Sequence, residues 1–150
     1  MFNMKKKRLH FLARAAMTLL LVMFATIGAR ADEGTLSGSG TAADPYLIGS
    51  DADWETFVSY INDKGGQYRY SYYKLTADIK VTSMAGKNND DNAFKGIFDG
   101  NGHTMTLNLT TDGSSNFFAP FRYVGGSTFK RLHIAGKITS NSYYVASLVG

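Results

Sequence analysis

The sequence has 150 residues, with 16 Lys and Arg, 12 Asp and Glu, and no cysteine. Its length limits it to one domain of ordinary size. Without cysteine it can form neither a disulfide framework nor a thiolate metal site, so packing alone must hold the fold together. The formal charge of +4 favours a nucleic-acid or membrane partner only if the basic residues belong to the folded part.

The N-terminus has the three-part organisation of a secretory signal peptide. A basic segment ends at Arg14, an uncharged and mostly apolar run covers residues 15–29, and Ala29 and Ala31 provide the small residues of a cleavage site. This run is shorter than the roughly 20 apolar residues that a membrane-spanning helix needs. We therefore predict cleavage after Ala31, export to the cell surface or the medium, and no membrane span in the exported protein.

Removal of residues 1–31 reverses the sign of the charge. It takes away six of the 16 basic residues and none of the 12 acidic ones, which leaves a net charge of −2. An exported chain with a net negative charge is a poor ligand for phosphate backbones, so we expect no nucleic-acid partner. Residues 32–43 are mostly Gly, Ser, Thr and Ala without apolar periodicity, and they predict a flexible linker before a domain over residues 44–150.

Residues 50–63 form the segment with clear helical periodicity. Ser50 and Asp53 have the spacing of a capping box at the start of a helix. We predict that Trp54 and its apolar neighbours are buried in the core, and that no further helix follows Asp63. The apolar residues at i, i+3, i+4 and i+7 are Trp54, Phe57, Val58 and Ile61.

After this helix the apolar period changes from 3.6 to 2. Residues 73–81 alternate between apolar and polar side chains and predict a half-buried strand. Residues 94–109 contain a turn signal, Asp99 to Gly102, between two such runs, and they predict a strand, a tight turn and a strand. Short strands separated by Gly, Asn and Asp turns continue to Gly150.

An apolar pair recurs in the strand region. The pair Leu107 and Leu109 is matched further along the chain by Leu132 and Ile134, each time after a Gly turn. The resulting period, roughly 25 residues, falls in the range of solenoid repeats. Short strands with this spacing favour a chain that winds repeatedly in the same sense.

Two segments, residues 94–109 and 117–150, carry a family likeness. They resemble the repeat region of large secreted bacterial surface proteins with GLUG-type repeats, which are common in gut Bacteroidetes. FDGNGH, from Phe98 to His103, is the most specific piece of this likeness. The segment from Gly38 to Phe57 is similar to the usual opening of such regions.

This resemblance implies an all-β fold. The expected architecture is a right-handed parallel β-helix, or β-solenoid, that occupies residues 44–150 behind a short N-terminal capping α-helix. Because the sequence stops within the strand 145–150, we expect the β-solenoid to be incomplete at its C-terminus and to continue into further repeats of a longer chain. Family members are mostly adhesin-like, exposed on the cell surface or secreted.

A cluster of tyrosines is the candidate ligand-binding feature. If the alternation set by Leu75 extends backwards, Tyr68, Tyr70 and Tyr72 share the outward face of a strand. Exposed tyrosines in a row suit a glycan, because a sugar stacks its apolar face on the ring and bonds to the hydroxyl. The alternative is that these rings cover the junction between the helix and the first strands.

The predicted function is that of an exported, non-enzymatic, adhesin-like module whose partners are glycans or host and cell-surface proteins. We assign no catalytic residue, metal or cofactor: His103 follows a turn, and His133 is expected to face outward from a strand. One alternative is a carbohydrate-active β-helix enzyme, a lyase or hydrolase, that uses Asp99 or a calcium-binding loop at Asp90 and Asp91. A second alternative is a purely structural stalk or cap.

Overall fold

The structure, a computed structural model, describes residues 34–87, 90–110 and 116–150. The predicted signal peptide, with Ala29 and Ala31, lies outside these ranges. Residues 32 and 33 of the predicted linker and parts of two polar loops lie outside them as well. The residues from Gly34 onwards belong to one compact unit.

The described part of the chain consists mainly of short strands, with one α-helix near its start. The strands form three parallel sheets, in the orders β1-β2-β4-β7, β3-β5-β8 and β6-β9. In chain order, the elements are β1 (Tyr46–Ile48), α1 (Asp51–Ser59), a π-helical segment (Tyr60–Lys64), a 3-10 helix (Gly66–Tyr70), β2 (Tyr72–Leu75), β3 (Ile79–Val81), a second 3-10 helix (Asp90–Asn92), β4 (Ile97–Asp99), β5 (Thr104–Thr110), β6 (Phe117–Phe118), β7 (Thr128–Lys130), β8 (His133–Thr139) and β9 (Tyr144–Val145).

The prediction of a right-handed parallel β-helix is wrong. The described residues form separate sheets of four, three and two strands together with α1, and this set of sheets is partly open. Among the described strands, β5 and β8 alone exceed four residues, because Gly and turn residues interrupt the apolar alternation elsewhere. The prediction of parallel pairing itself is confirmed, since all the pairs in these sheets are parallel.

The repeat that relates Leu107 to Leu132 does not describe the pairing of β5 with β8. Leu107 lies opposite Gly136, and Leu109 lies opposite Ile138 instead of Ile134. The predicted spacing does occur between β2 and β4, where Tyr73 lies opposite Phe98. The connections differ in length from one strand pair to the next, so no single period fits.

The predicted helix is confirmed, with an irregular end. Ser50 is the N-cap, and its hydroxyl accepts a hydrogen bond from the backbone N–H of Asp53 at 3.1 Å. The Asp53 carboxylate in turn accepts from the N–H of Gly49 at 2.9 Å. Beyond Ser59 the helix widens into the π-helical segment, which ends at Gly65.

The prediction that no helix follows Asp63 is wrong, because two 3-10 helices do. Both have five residues or fewer, so neither is long enough to leave an apolar stripe in the sequence. The segment 73–81 is also divided: its two halves are β2 and β3, which belong to different sheets. The predicted strand, tight turn and strand around Asp99–Gly102 are confirmed as β4, a turn and β5, although the two strands belong to different sheets.

The described part of the predicted linker, residues 34–43, packs on the domain. Leu36 is buried, and its N–H donates to the hydroxyl of Tyr60 at 3.2 Å. The carbonyl of Ser37 accepts from the N–H of Leu47 at 2.9 Å, so this segment covers the free edge of β1. One apolar residue among Gly and Ser gives no periodic signal, which explains why the contact was not predicted.

The core is an aromatic cluster between α1 and the sheets. Trp54 is fully buried, as predicted, and its ring centre lies 5.5 Å from that of Phe121 in an edge-to-face arrangement. Phe57 packs on Tyr73 at 4.7 Å in the same manner. This packing holds α1 against Phe121 and against β2, and it makes the sheet of β2 a rigid support for its outward-facing side chains.

Candidate functional site

The outward face of the β1-β2-β4-β7 sheet carries a row of charged side chains. Lys74 of β2 lies opposite Asp99 of β4, and Asp99 lies opposite Lys130 of β7. In the adjacent row Tyr72 lies opposite Ile97. Along each strand, the residues of these two rows alternate with buried residues. The same alternation therefore places the buried side chains on one face of the sheet and these polar side chains on the other.

Asp99 is the centre of this row. Only 7% of its surface is exposed, and its carboxylate accepts hydrogen bonds from both the Nε and the Nη2 groups of Arg131. The backbone N–H of Asn101 also donates to it at 2.9 Å, and the Lys130 ammonium lies 3.5 Å away. Because Arg131 holds the carboxylate on two sides, both side chains have a fixed position.

These contacts lower the pKa of Asp99 to about 2. The hydrogen bonds from Arg131 are the main cause, and they outweigh burial, which acts in the opposite direction. The bond from the Asn101 backbone and the positive charges of Arg131 and Lys130 add to the effect. The same pairing raises the pKa of Arg131. Asp99 is therefore ionised at any physiological pH.

A half-open pocket of about 230 Å³ lies over this row. Its floor comes from the outward side chains of β2, β4 and β7, and one wall comes from residues 42–45, the end of the segment that covers β1. The pocket therefore combines an aromatic side chain with two cations and one anion. Its lining residues are Ala42, Ala43, Pro45, Tyr72, Tyr73, Lys74, Ile97, Asp99 and Lys130.

The structure separates the three tyrosines that were predicted to share one strand face. Residues 66–70 form a 3-10 helix, so the alternation does not extend backwards from β2. Tyr68 packs on Tyr60, with ring centres 4.3 Å apart, which fits the alternative of a covering role at the helix junction. Tyr70 is 57% exposed near Lys95, and Tyr72 lines the pocket. Ligand binding by these residues stays a prediction.

The remaining polar candidates lie apart from this pocket. His103 has its Nδ1 atom 3.4 Å from the carboxylate of Asp78, and His133 is exposed on β8, as its alternation predicted. Asp91 lies in the 3-10 helix that follows two residues outside the described ranges. Within the described ranges, no three His, Asp or Glu residues lie together in a way that could hold a metal ion.

Lys74, Lys130 and Arg131 belong to the site but are not predicted from the sequence. Asp99 is predicted from the sequence to belong to a turn. The Asp99 side chain does support that turn through Asn101, so the assignment was correct as far as it went. The sequence feature that indicates this charged row is the alternation of apolar and polar residues in β2 and β4, which places one charged residue of each strand on the outward face.

Replacement of Asp99 by Asn tests the ion pair through its pH dependence. Because the pKa of Asp99 in the folded protein lies below its ordinary value of 3.8, the pairing stabilises the fold fully above pH 4 and is lost as the pH falls towards 2. We expect Asp99→Asn to cost about 1–2 kcal/mol at neutral pH. Urea denaturation should show the difference from wild type shrinking below about pH 4.

The matched control is Asp63→Asn. Asp63 also pairs with a cation, Lys87, but both side chains are more than half exposed, so solvent screens the pair. We expect no measurable loss of stability from this variant at neutral pH. The free energies of unfolding of wild type and Asp99→Asn can be plotted against pH. If the two curves stay parallel from pH 7 to pH 2, Asp99 does not form the stabilising ion pair.

Comparisons with known proteins give one partial similarity. No protein-family model matches the chain, and no solved structure matches it. Halomucin of Haloquadratum walsbyi (strain DSM 16790 / HBSQ001) is 35% identical over 92 residues, which cover 52% of this chain and 1% of halomucin. The chain thus corresponds to a very small part of that relative. No helix in the described ranges has the length and hydropathy needed to cross a membrane.

Proposed function

We propose that the protein is an exported, non-catalytic, adhesin-like module that binds glycans through the pocket on the outward face of the β1-β2-β4-β7 sheet. The observation that carries the proposal is the arrangement of Tyr72 beside the charged row of Lys74, Asp99 and Lys130. An aromatic ring next to charged hydrogen-bonding groups suits a sugar, which has one apolar face and a rim of hydroxyls.

The chemistry of binding follows from the positions of these groups. The Tyr72 ring offers a surface for the apolar face of a sugar ring, while Lys74 and Lys130 can donate hydrogen bonds to hydroxyl or carboxylate oxygens. Asp99 can accept from a hydroxyl with the one lone pair, on Oδ2, that the bonds from Arg131 and Asn101 leave free. Since Arg131 and the backbone of Asn101 already hold the Asp99 carboxylate in place, this group loses little conformational entropy on binding.

Binding without turnover is favoured by the ionisation of Asp99. A glycosidase needs a carboxyl group that stays protonated near neutral pH to protonate the leaving oxygen, and this requires a raised pKa. The pKa of Asp99 is instead lowered to about 2. Its pairing with Arg131 also weakens it as a base, so we propose no catalytic role for this carboxylate.

Export and surface location are also part of the proposal. They rest on the predicted signal peptide, residues 1–31, and on the similarity to a relative whose name, halomucin, describes it as a mucin. A relationship to surface proteins with GLUG-type repeats, suggested by the segment from Phe98 to His103, is proposed on the residues alone. An exported chain would present its glycan-binding surface outside the cell.

A glycan array tests the binding proposal. The full chain is expected to bind one class of glycan, and Tyr72→Ala is expected to weaken that binding about five- to tenfold, because the stacking surface is lost. Tyr70→Ala should weaken it less, since Tyr70 does not line the pocket. Tyr143→Ala is the matched control: Tyr143 is 88% exposed and also lies outside the pocket, so binding should be unchanged.

The outcomes separate the three functions. Binding that is lost in Tyr72→Ala but kept in Tyr143→Ala supports the proposal, provided that circular dichroism shows both variants folded. Absence of any bound glycan would contradict it and favour a structural stalk or cap. Release of free sugars from a bound polysaccharide would favour the enzyme instead.

A further inference from the structure

The pocket on the outward face of the β1-β2-β4-β7 sheet has an excess of positive charge. Its lining residues include two cations, Lys74 and Lys130, and one anion, Asp99. The charge of Asp99 is balanced by a residue outside this lining, because Arg131 donates two hydrogen bonds to its carboxylate. The positive charges of Lys74 and Lys130 are therefore available to a ligand, although the exported part of the chain is expected to be net negative.

The two lysines differ in how they are paired. The Lys130 ammonium lies 3.5 Å from the Oδ2 atom of Asp99, where it shares the carboxylate with Arg131. Lys74 is the register partner of Asp99 on β2, yet it forms no ion pair with any residue that the structure describes. Lys74 is half-buried and lines the pocket, so an anion bound there would supply its counter-charge.

The lysines lie at different distances from the aromatic ring of the pocket. Tyr72 and Lys74 are separated by one residue of β2, so both point outward from the sheet, roughly 7 Å apart along the strand. Lys130 lies two strands away from them, about 10 Å across the sheet. A sugar ring stacked on Tyr72 would therefore have its substituents beside Lys74, and the next sugar of the same glycan would reach Lys130.

Asp99 limits where an anionic group can lie in the pocket. It stands between the two lysines in the row, so its charge disfavours an anion at the centre and favours one beside either lysine. A hydroxyl fits the centre, because Oδ2 keeps one lone pair beyond the bonds from Arg131 and Asn101. The pocket thus matches a ligand with hydroxyls at its middle and negative charge towards its ends.

We propose that the glycan bound in this pocket is anionic, with a carboxylate or sulfate group on the sugar that stacks on Tyr72, and that Lys74 selects for this charge. The inference rests on the proposed glycan binding and adds the chemical class of the ligand. The anionic group accepts hydrogen bonds from the Lys74 ammonium, and such charge-assisted bonds are stronger than those between neutral groups. A neutral glycan forms the same stacking contact but adds no attraction between opposite charges.

Matched trisaccharides test the proposal. The probes are trisaccharides of galactose, glucose and mannose, each as the neutral sugar, the 6-sulfate, the uronic acid and the methyl ester of that acid. Isothermal titration calorimetry measures their binding to the full chain. We expect the acid or the sulfate to bind at least about tenfold more tightly than the methyl ester and the neutral sugar, and more weakly as salt is added. The acid and the sulfate compared with each other show which anionic group the pocket takes.

Lys74→Met removes the charge and keeps a side chain of similar length. We expect it to weaken binding of the anionic sugar at least about fivefold more than binding of its neutral partner. Lys130→Met should act in the same direction but less, because Asp99 already shares the charge of Lys130. Lys80→Met is the matched control: it makes the same change of charge at an exposed position on β3, in another sheet and outside the pocket, so binding should be unchanged.

The outcomes separate this inference from the proposed function. If the methyl ester binds as tightly as the acid, the neutral sugar binds as tightly as the sulfate, and Tyr72→Ala weakens all of them, the pocket binds glycans but the anionic class is wrong. Equal effects of Lys74→Met and Lys80→Met on the anionic sugar would also overturn the inference, because net charge would then explain the attraction. If no sugar of either charge binds, the proposed function fails together with it.

Discussion

Trp54→Ala is expected to lower the free energy of unfolding by about 3–5 kcal/mol, the range for truncation of a large buried aromatic side chain. Trp54 is fully buried, and its ring contacts Phe57, Phe98 and Phe121. The indole N–H is also satisfied, at 3.1 Å from the hydroxyl of Ser83. The substitution therefore opens a cavity beneath α1 and leaves the half-buried hydroxyl of Ser83 without its donor.

Urea denaturation followed by circular dichroism measures this loss, because Trp54 is the sole tryptophan and its fluorescence disappears with it. The free energy of unfolding of a domain of this size is about 5–15 kcal/mol in total, so the variant is expected to be close to unfolding at room temperature. Trp54→Phe should lower the free energy of unfolding less than Trp54→Ala, since it keeps an aromatic ring in the cluster. Tyr143→Ala, at a position that is 88% exposed, should change stability by less than about 0.5 kcal/mol. A similar change in Trp54→Ala would contradict the assignment of Trp54 to the core.

The helix was predictable because its signals are local. The cap at Ser50, the apolar stripe that contains Trp54 and the glycines that end the segment all lie between Ser50 and Gly66. The structure changes only the last turns, where residues 60–64 become π-helical. The same reasoning correctly predicted that His133 faces outward, since alternation within a strand is equally local.

The arrangement of the strands was not predictable by the same reasoning. Which strand lies beside which depends on connections whose lengths vary, and Phe98 shows this with partners on two sides. It lies opposite Tyr73, which precedes it, and opposite Phe129, which follows it at a greater separation along the chain. One fixed period therefore predicts that Leu107 matches Leu132, whereas the structure pairs Leu107 with Gly136.

The candidate site was partly missed for the same reason. Each of β2, β4 and β7 shows a single charged residue at an outward position, and no strand alone indicates a site. The site exists because the register brings Lys74, Asp99 and Lys130 into one row. Tyr72 was selected from its strand alternation and does line the pocket, whereas Tyr68 was misplaced because a 3-10 helix replaced the expected strand.

Gly136→Ala is expected to cost about 2–5 kcal/mol, because two effects act at one position in β8. The backbone φ of Gly136 is +96°, a conformation that side-chain-bearing residues adopt only at a cost of about 1–2 kcal/mol. A Cβ atom there would also overlap the carbonyl oxygen of Leu107 and lie 2.6 Å from its nitrogen. Leu107 is the partner of Gly136 on β5, so the overlap would push the two strands apart, which costs about 1–3 kcal/mol more.

Gly125→Ala is the matched control for the thermal or urea denaturation that measures this cost. Its Cβ would meet only the side chain of Lys95, at 3.3 Å, which can move aside, so we expect a change within about 0.5 kcal/mol. An equal loss of stability in the two variants would contradict the close approach of Gly136 to Leu107 in the pairing of β5 with β8.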